Sequence, residues 1–164
     1  MVRSPDRRRP FGAGLTFQVE KWSNALPELR PLFALLWDDV AVDKDRFTAK
    51  CGEEKYAALE ALGMLHLVTM RDNGILAGFF LVFLTPNAHY ADAGLIAFTD
   101  MYYTLPAYRR GNLGMKLFAF AERTWREKGV VKAYTSHKLH RDRSAFMKAL
   151  GWTPTDMVYS KCLQ

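Results

Sequence analysis

Hydrophobic and polar positions alternate between two periods along this chain, and the switches between them divide it into elements. Leu15 to Val19 alternates with a period near two and predicts a first strand. Leu26, Leu29, Phe33, Leu35 and Leu36 then recur on one helical side, with Ser23 placed to cap the helix, Pro27 in its first turn and Pro31 as a break or kink. Asp43 to Met64 reads as one or two further helices: Tyr56, Leu59 and Leu62 fall at helical spacing and Gly63 supplies a stop. Leu65 to Met70 is a strand, Arg71-Asp72-Asn73-Gly74 a hairpin turn, and Ile75 to Thr85 an apolar run long enough to be buried on both faces. Pro86 to His89 makes the next turn, and Leu95 to Leu105 the strand after it.

Leu113, Leu117, Phe120, Ala121 and Trp125 form a helical stripe that Gly129 ends. Val130 to Thr135 is another strand, so strand–helix–strand implies a right-handed crossover and a parallel pair. A short helix from Arg143 to Leu150 and a last strand from Met157 to Leu163 complete the order β-α-α-β-β-β-α-β-α-β. This is an α/β (α+β) arrangement: a mixed, twisted central sheet with helices on both faces.

Composition narrows the class. The chain has 164 residues, 49% hydrophobic and 24% charged, which fits one globular domain over residues 15–164. No stretch has the apolar length needed to span a bilayer, and the polar N-terminus does not read as a secretory signal. Cys51 and Cys162 are too few for a disulfide framework and fit a reducing, cytoplasmic setting. The net charge is +6, and Arg3, Arg7, Arg8 and Arg9 concentrate part of it in residues 1–14, read as a disordered basic arm. Such an arm is either a solvated tail or a contact for nucleic acid or another acidic partner, and the solvated tail is favoured. Trp22, Trp37, Trp125 and Trp152 sit at core-like positions, not as a base-stacking platform.

The chemistry gathers at Tyr108-Arg109-Arg110-Gly111-Asn112-Leu113-Gly114, between a strand and a helix. The first N–H groups of a helix lack intrahelical partners, and the helix dipole makes that end positive. Glycines admit an anion close to the backbone, so the segment reads as a phosphate cradle. Neither the P-loop string nor GxGxxG occurs here. Arg109-x-x-Asn112-x-Gly114, preceded by Pro106-Ala107-Tyr108, resembles the pyrophosphate loop [QR]-x-x-G-x-[GA] of the GNAT superfamily of N-acetyltransferases. Asn112 replaces that pattern's first glycine, and Asn tolerates the left-handed backbone expected there.

The element order is also that of the GNAT fold, and Leu150-Gly151-Trp152 resembles the family's L-G-[FYW]. His137 to Asp142 and Val158-Tyr159-Ser160-Lys161 are similar to segments of phage-encoded members. The resemblance implies acetyl-CoA as cofactor and acetyl transfer to an amine of a protein or small molecule. It gives the pantetheine to Tyr102, Tyr103 and Thr104, the pyrophosphate to Arg109, Arg110, Gly111, Asn112, Leu113 and Gly114 with Met115 and Lys116, and a further contact to Ser144. Asp100 is the candidate general base, or else a strand residue paired with a nearby cation. Met147 stands where relatives carry a proton-donating Tyr, and Tyr103, Ser144, His140 and Tyr159 are the alternative donors.

His137-x-x-His140-x-Asp142 is too sparse a set for zinc, so no metal is expected. The acceptor cleft would be built by the early helices and the loops near His89 and Thr155. Met147 and Asn112 also leave open a catalytically weak or inactive interaction protein on the same fold, modulating a host enzyme. The expected partners are therefore an amine acceptor, a host protein in that second reading, and a second copy in a homodimer. Neither membrane nor nucleic acid is expected.

Overall fold

The computed structural model describes residues 14–87 and 93–163. The basic arm, apart from Gly14, and His89 lie outside the described residues. The sheet has five strands in the order β1 (Leu15–Glu20), β2 (Leu65–Asp72), β3 (Ile75–Pro86), β4 (Leu95–Thr104) and β5 (Val130–Tyr134). The first three pairings are antiparallel and β4–β5 is parallel, as the crossover predicts. The β2–β3 turn takes positive φ at Asn73 (49°) and Gly74 (83°), the pair that a tight hairpin requires.

Helices α1 (Trp22–Val40) and α2 (Glu53–Ala61) cover one face. Trp22 packs on Phe33 and Tyr56, Phe33 meets Phe79 edge-on at 5.6 Å, and Tyr56 stacks on Phe83 at 6.1 Å. Helix α3 (Leu113–Glu127) covers the other, where Phe80 contacts Phe118 at 4.6 Å and Trp125 at 5.1 Å. Neighbours Phe79 and Phe80 therefore serve opposite layers, which is why β3 reads as a continuous apolar run. Helix α4 (Ser144–Ala149) rests against α3 through Phe146 and Phe118, and Trp152 Nε1 donates to Glu122 Oε1 at 2.9 Å. No helix among the described residues is long and apolar enough to cross a membrane.

Three expectations are corrected. Helix α1 runs unbroken through Pro27 and Pro31. The two prolines lie four residues apart on the exposed side, where water can reach the carbonyls they leave without donors. Ser23 does not cap α1. The helix starts at Trp22, and the carboxylate of Glu60, at the end of α2, accepts the N–H groups of Trp22 and Ser23. The last strand does not form: among the described residues, no backbone hydrogen bond joins residues 153–163 to the sheet. Met157, Val158, Tyr159 and Leu163 are all more than three-quarters exposed, so their alternation has no buried face to specify.

Candidate functional site

Strand β4 positions the site through an irregularity. Thr99 lies opposite Val82 and Met101 opposite Leu81, so Asp100 is an extra residue with no partner on β3. Such a bulge shifts the side-chain alternation by one. Asp100 and Tyr103 come to the face of α1 and α2, whereas Tyr102 turns to the other face, against Phe80 and Phe118.

Asp100 Oδ2 accepts the Tyr56 hydroxyl of α2 at 2.7 Å. The residue keeps more than a third of its surface open to solvent. Desolvation raises its pKa above the ordinary carboxylate value, and the Tyr56 hydrogen bond offsets part of the rise. Burial and the same bond push the Tyr56 phenol up. The Cys51 thiol is pushed up to about 11 by desolvation and by the negative charges of Glu53 and Asp100, so it stays protonated at neutral pH.

The parallel pairing of β4 with β5 ends at Phe98 and Tyr134. Beyond that pair Tyr102, Tyr103 and Thr104 are laddered only to Phe80, Phe79 and Gly78 of β3, so their outer side faces an opening between diverging strands. A short 3-10 turn, Pro106–Tyr108, follows, fixed by the Tyr108 hydroxyl donating to buried Asp72 at 2.8 Å. Gly111 takes φ +60°, and α3 begins at Leu113. Arg110, Gly111, Asn112, Leu113 and Lys116 line a groove of about 560 Å³ with Leu15 and Phe17 of β1. Gly114 faces the Phe146 ring, and Met115 is exposed on the first turn.

Two details of this loop differ from expectation. The left-handed residue is Gly111, while Asn112 has φ −106° and simply precedes the helix, its carbonyl accepting the Lys116 N–H at 3.0 Å. Arg109 does not line the groove: its Nε donates to the Thr104 carbonyl at 2.7 Å, a terminal nitrogen donates to Asp39 Oδ2 at 2.7 Å, and its guanidinium covers the Tyr103 ring. A planar cation beside both an acceptor and an aromatic face takes both contacts.

Ser144 opens α4, its N–H held by Asp142 at 2.8 Å and its Oγ 3.3 Å from His137 Nε2. Asp142 approaches that same nitrogen at 3.6 Å, so these three residues lack the relay geometry in which the carboxylate holds the opposite ring nitrogen. His140 is exposed on the 3-10 turn Leu139–Arg141. The Tyr159 hydroxyl lies 3.0 Å from Met157 Sδ in the unpaired C-terminal segment. Neither has a hydrogen bond to Asp100 among the described residues. Met147 is packed into the core. No cluster of metal-ligating residues occurs among the described residues.

Tyr56 and Asp39, which bind the candidate residues Asp100 and Arg109, are not marked by the sequence. Tyr56 reads only as part of an apolar helical stripe, and nothing local marks Asp39, because its partners are 70 and 102 residues away.

A parallel pair that splays apart thus feeds, through a glycine turn, the start of α3, where Arg110 and Lys116 bring positive charge to the groove. The chain matches the acetyltransferase (GNAT) family over residues 26–152 and belongs to it. No curated protein matches it by sequence. Among solved structures it is similar to an aminoglycoside acetyltransferase from an uncultured soil metagenomic sample, with a TM-score of 0.75 and 13% identity over 94% of this chain and 99% of the other. A predicted acetyltransferase from Clostridium acetobutylicum, solved with acetyl-CoA, gives 0.71 at 14% identity, covering 91% and 96%. Glucosamine-6-phosphate N-acetyltransferase from Arabidopsis thaliana gives 0.66 at 14% identity, covering 91% and 99%. At these identities the structural likeness establishes the fold.

Proposed function

We propose that this protein is an acetyl-CoA-dependent N-acetyltransferase acting on an amine of a small molecule or protein, with Asp100 as its general base. The observation that carries this reading is the placement of Asp100 at the point where β4 leaves β5, on the strand that leads through the Gly111 turn into the start of α3. Acetyl-CoA supplies an activated acyl group and a thiolate leaving group. The groove residues Arg110, Gly111, Asn112, Leu113 and Lys116 hold its pyrophosphate, using the loop's positive charge and the first N–H groups of α3. The unladdered side of Tyr102, Tyr103 and Thr104 offers backbone groups to the pantetheine, and a β4 N–H polarises the thioester carbonyl.

Asp100 takes a proton from the acceptor ammonium, and its raised pKa brings it nearer the range useful to a base at neutral pH. Bond formation between the amine nitrogen and the carbonyl carbon then accompanies loss of the carbon–sulfur bond. Met147 is buried and has no proton to give. Tyr102, carried by the bulge to the α3 face, is the phenol we assign to the departing thiolate; burial raises its pKa and the Arg143 charge offsets part of the rise. His140 and Tyr159 remain alternative donors, since the C-terminal segment and the short turn are both open to solvent. Met147 also supports a second reading, a non-catalytic interaction protein, which predicts a host complex that survives Asp100→Asn.

The test is calorimetric titration with acetyl-CoA, followed by thiol release over a panel of amines and peptides. Binding that persists in Asp100→Asn while turnover falls by about 10²- to 10⁴-fold is the expected result. A protein that neither binds acetyl-CoA nor gains melting temperature at millimolar cofactor overturns the reading.

A further inference from the structure

Beyond Phe98 and Tyr134 the two cleft strands share no ladder, yet the segments they lead into meet again on one carboxylate. Asp39, one residue before the end of α1, accepts Arg109 at 2.7 Å on Oδ2 and Arg141 at 2.9 Å on Oδ1. Its backbone carbonyl accepts a second Arg141 donor at 3.1 Å. Arg109 belongs to the turn after β4, and Arg141 to the loop between β5 and α4. Arg109 also holds the Thr104 carbonyl, at the end of β4 that pairs with β3 but no longer with β5. The carboxylate is only 23% exposed, and both arginines retain more solvent contact than it does. One partly shielded anion thus joins the end of α1, the turn after β4 and the loop after β5.

We propose that Asp39 is a positioning residue for the cofactor: it clips the two walls of the cleft together and sets their separation along the pantetheine path. The proposal rests on the acetyl-CoA reading above. It assigns Arg109 to the architecture of the cleft and leaves the anion to Arg110, Lys116 and the helix start. Losing the clip would let the wall carrying Arg141 drift, so cofactor would be held less well although no residue of the groove had changed.

The experiment is calorimetric titration of CoA into wild type, Asp39→Asn, Asp39→Glu, Arg141→Gln and the Asp39→Asn/Arg141→Gln double variant, each below its melting temperature. Asp39→Asn should weaken CoA by roughly five- to tenfold, the size expected from losing two partly exposed ion pairs. Arg141→Gln should weaken it less, the double variant should be no worse than Asp39→Asn, and Asp39→Glu should recover most of the loss. Amide exchange in residues 135–143 should accelerate in Asp39→Asn. A merely structural role would lower the melting temperature and leave CoA affinity and the non-additivity unmoved. Wild-type affinity in Asp39→Asn, or simple additivity in the double variant, overturns the clip while sparing the acetyltransferase reading. Absence of CoA binding in wild type overturns that reading, and the clip falls with it.

Discussion

The Tyr56 hydroxyl donates to Asp100 Oδ2 at 2.7 Å, joining α2 to the bulge of β4. A hydrogen bond to the ionised carboxylate favours ionisation, so it restrains the rise that desolvation causes. Tyr56→Phe keeps the ring between Trp22 and Phe83 but removes this restraint. The Asp100 pKa should climb further, and the acidic limb of the kcat/KM profile should move to higher pH. Asp100→Asn should cost about 10²–10⁴ in kcat, the usual worth of a general base. A pH–rate profile of both variants, on whichever amine gives turnover, checks this.

Gly111 carries φ +60° in open space, so the cost of a side chain there is backbone strain alone. Gly111→Val should lose roughly 1–2 kcal/mol, because a β-branched residue is disfavoured in the left-handed region. Gly111→Asn should lose much less. Urea denaturation resolves the pair, and equal losses would show that the loop relaxes out of this conformation.

His66 is buried, and its Nε2 lies 3.0 Å from Thr124 Oγ. Thr124 gives its own proton to the Ala121 carbonyl at 2.8 Å, so His66 Nε2 is the donor. Desolvation, with a contribution from the Lys128 charge, lowers its pKa to about 4. The unfolded chain therefore binds an extra proton between about pH 6.5 and pH 4, and stability falls as pH falls through that window. The loss is at most about 3 kcal/mol. Guanidinium titrations at pH 7 and pH 4.5 should show the slope in wild type, and His66→Gln should flatten it.

Arg71 is nearly buried and binds Glu20 at 2.7 Å, Glu28 at 2.9 Å and the Gly74 carbonyl at 2.7 Å. Removing one partner of a buried pair leaves the other charge without compensation. Arg71→Met should destabilise by about 3 kcal/mol, and adding Glu20→Leu should recover part of that. Thermal melts of the single and double variants are the measurement.

The glycine turn before α3 and the order of the first five strands were legible because they follow from local rules. A glycine turn before an amphipathic helix carries its own signature, and the change from a two-residue to a 3.6-residue period marks each boundary. What was hidden depends on pairing at a distance. The bulge at Asp100 exists only in register with Leu81 and Val82, so no pattern within β4 announces that Tyr102 and Tyr103 exchange faces. Asp39 and Arg141 are 102 residues apart. The strand expected at Met157–Leu163 shows the opposite failure: alternation was present without a neighbour to pair with.

The Glu60 cap on α1 bears on how the chain folds. A helix whose first N–H groups are satisfied by its own Ser or Asp can begin to form alone. Here the carboxylate that completes the first turn arrives from 37 and 38 residues downstream, at the far end of α2. Residues 22–60 should therefore open as one unit, since the first turn of α1 is completed only when α2 docks. Amide exchange at Trp22 and Ser23 would report the opening of α2, and the cover over Asp100 would be gained and lost with it.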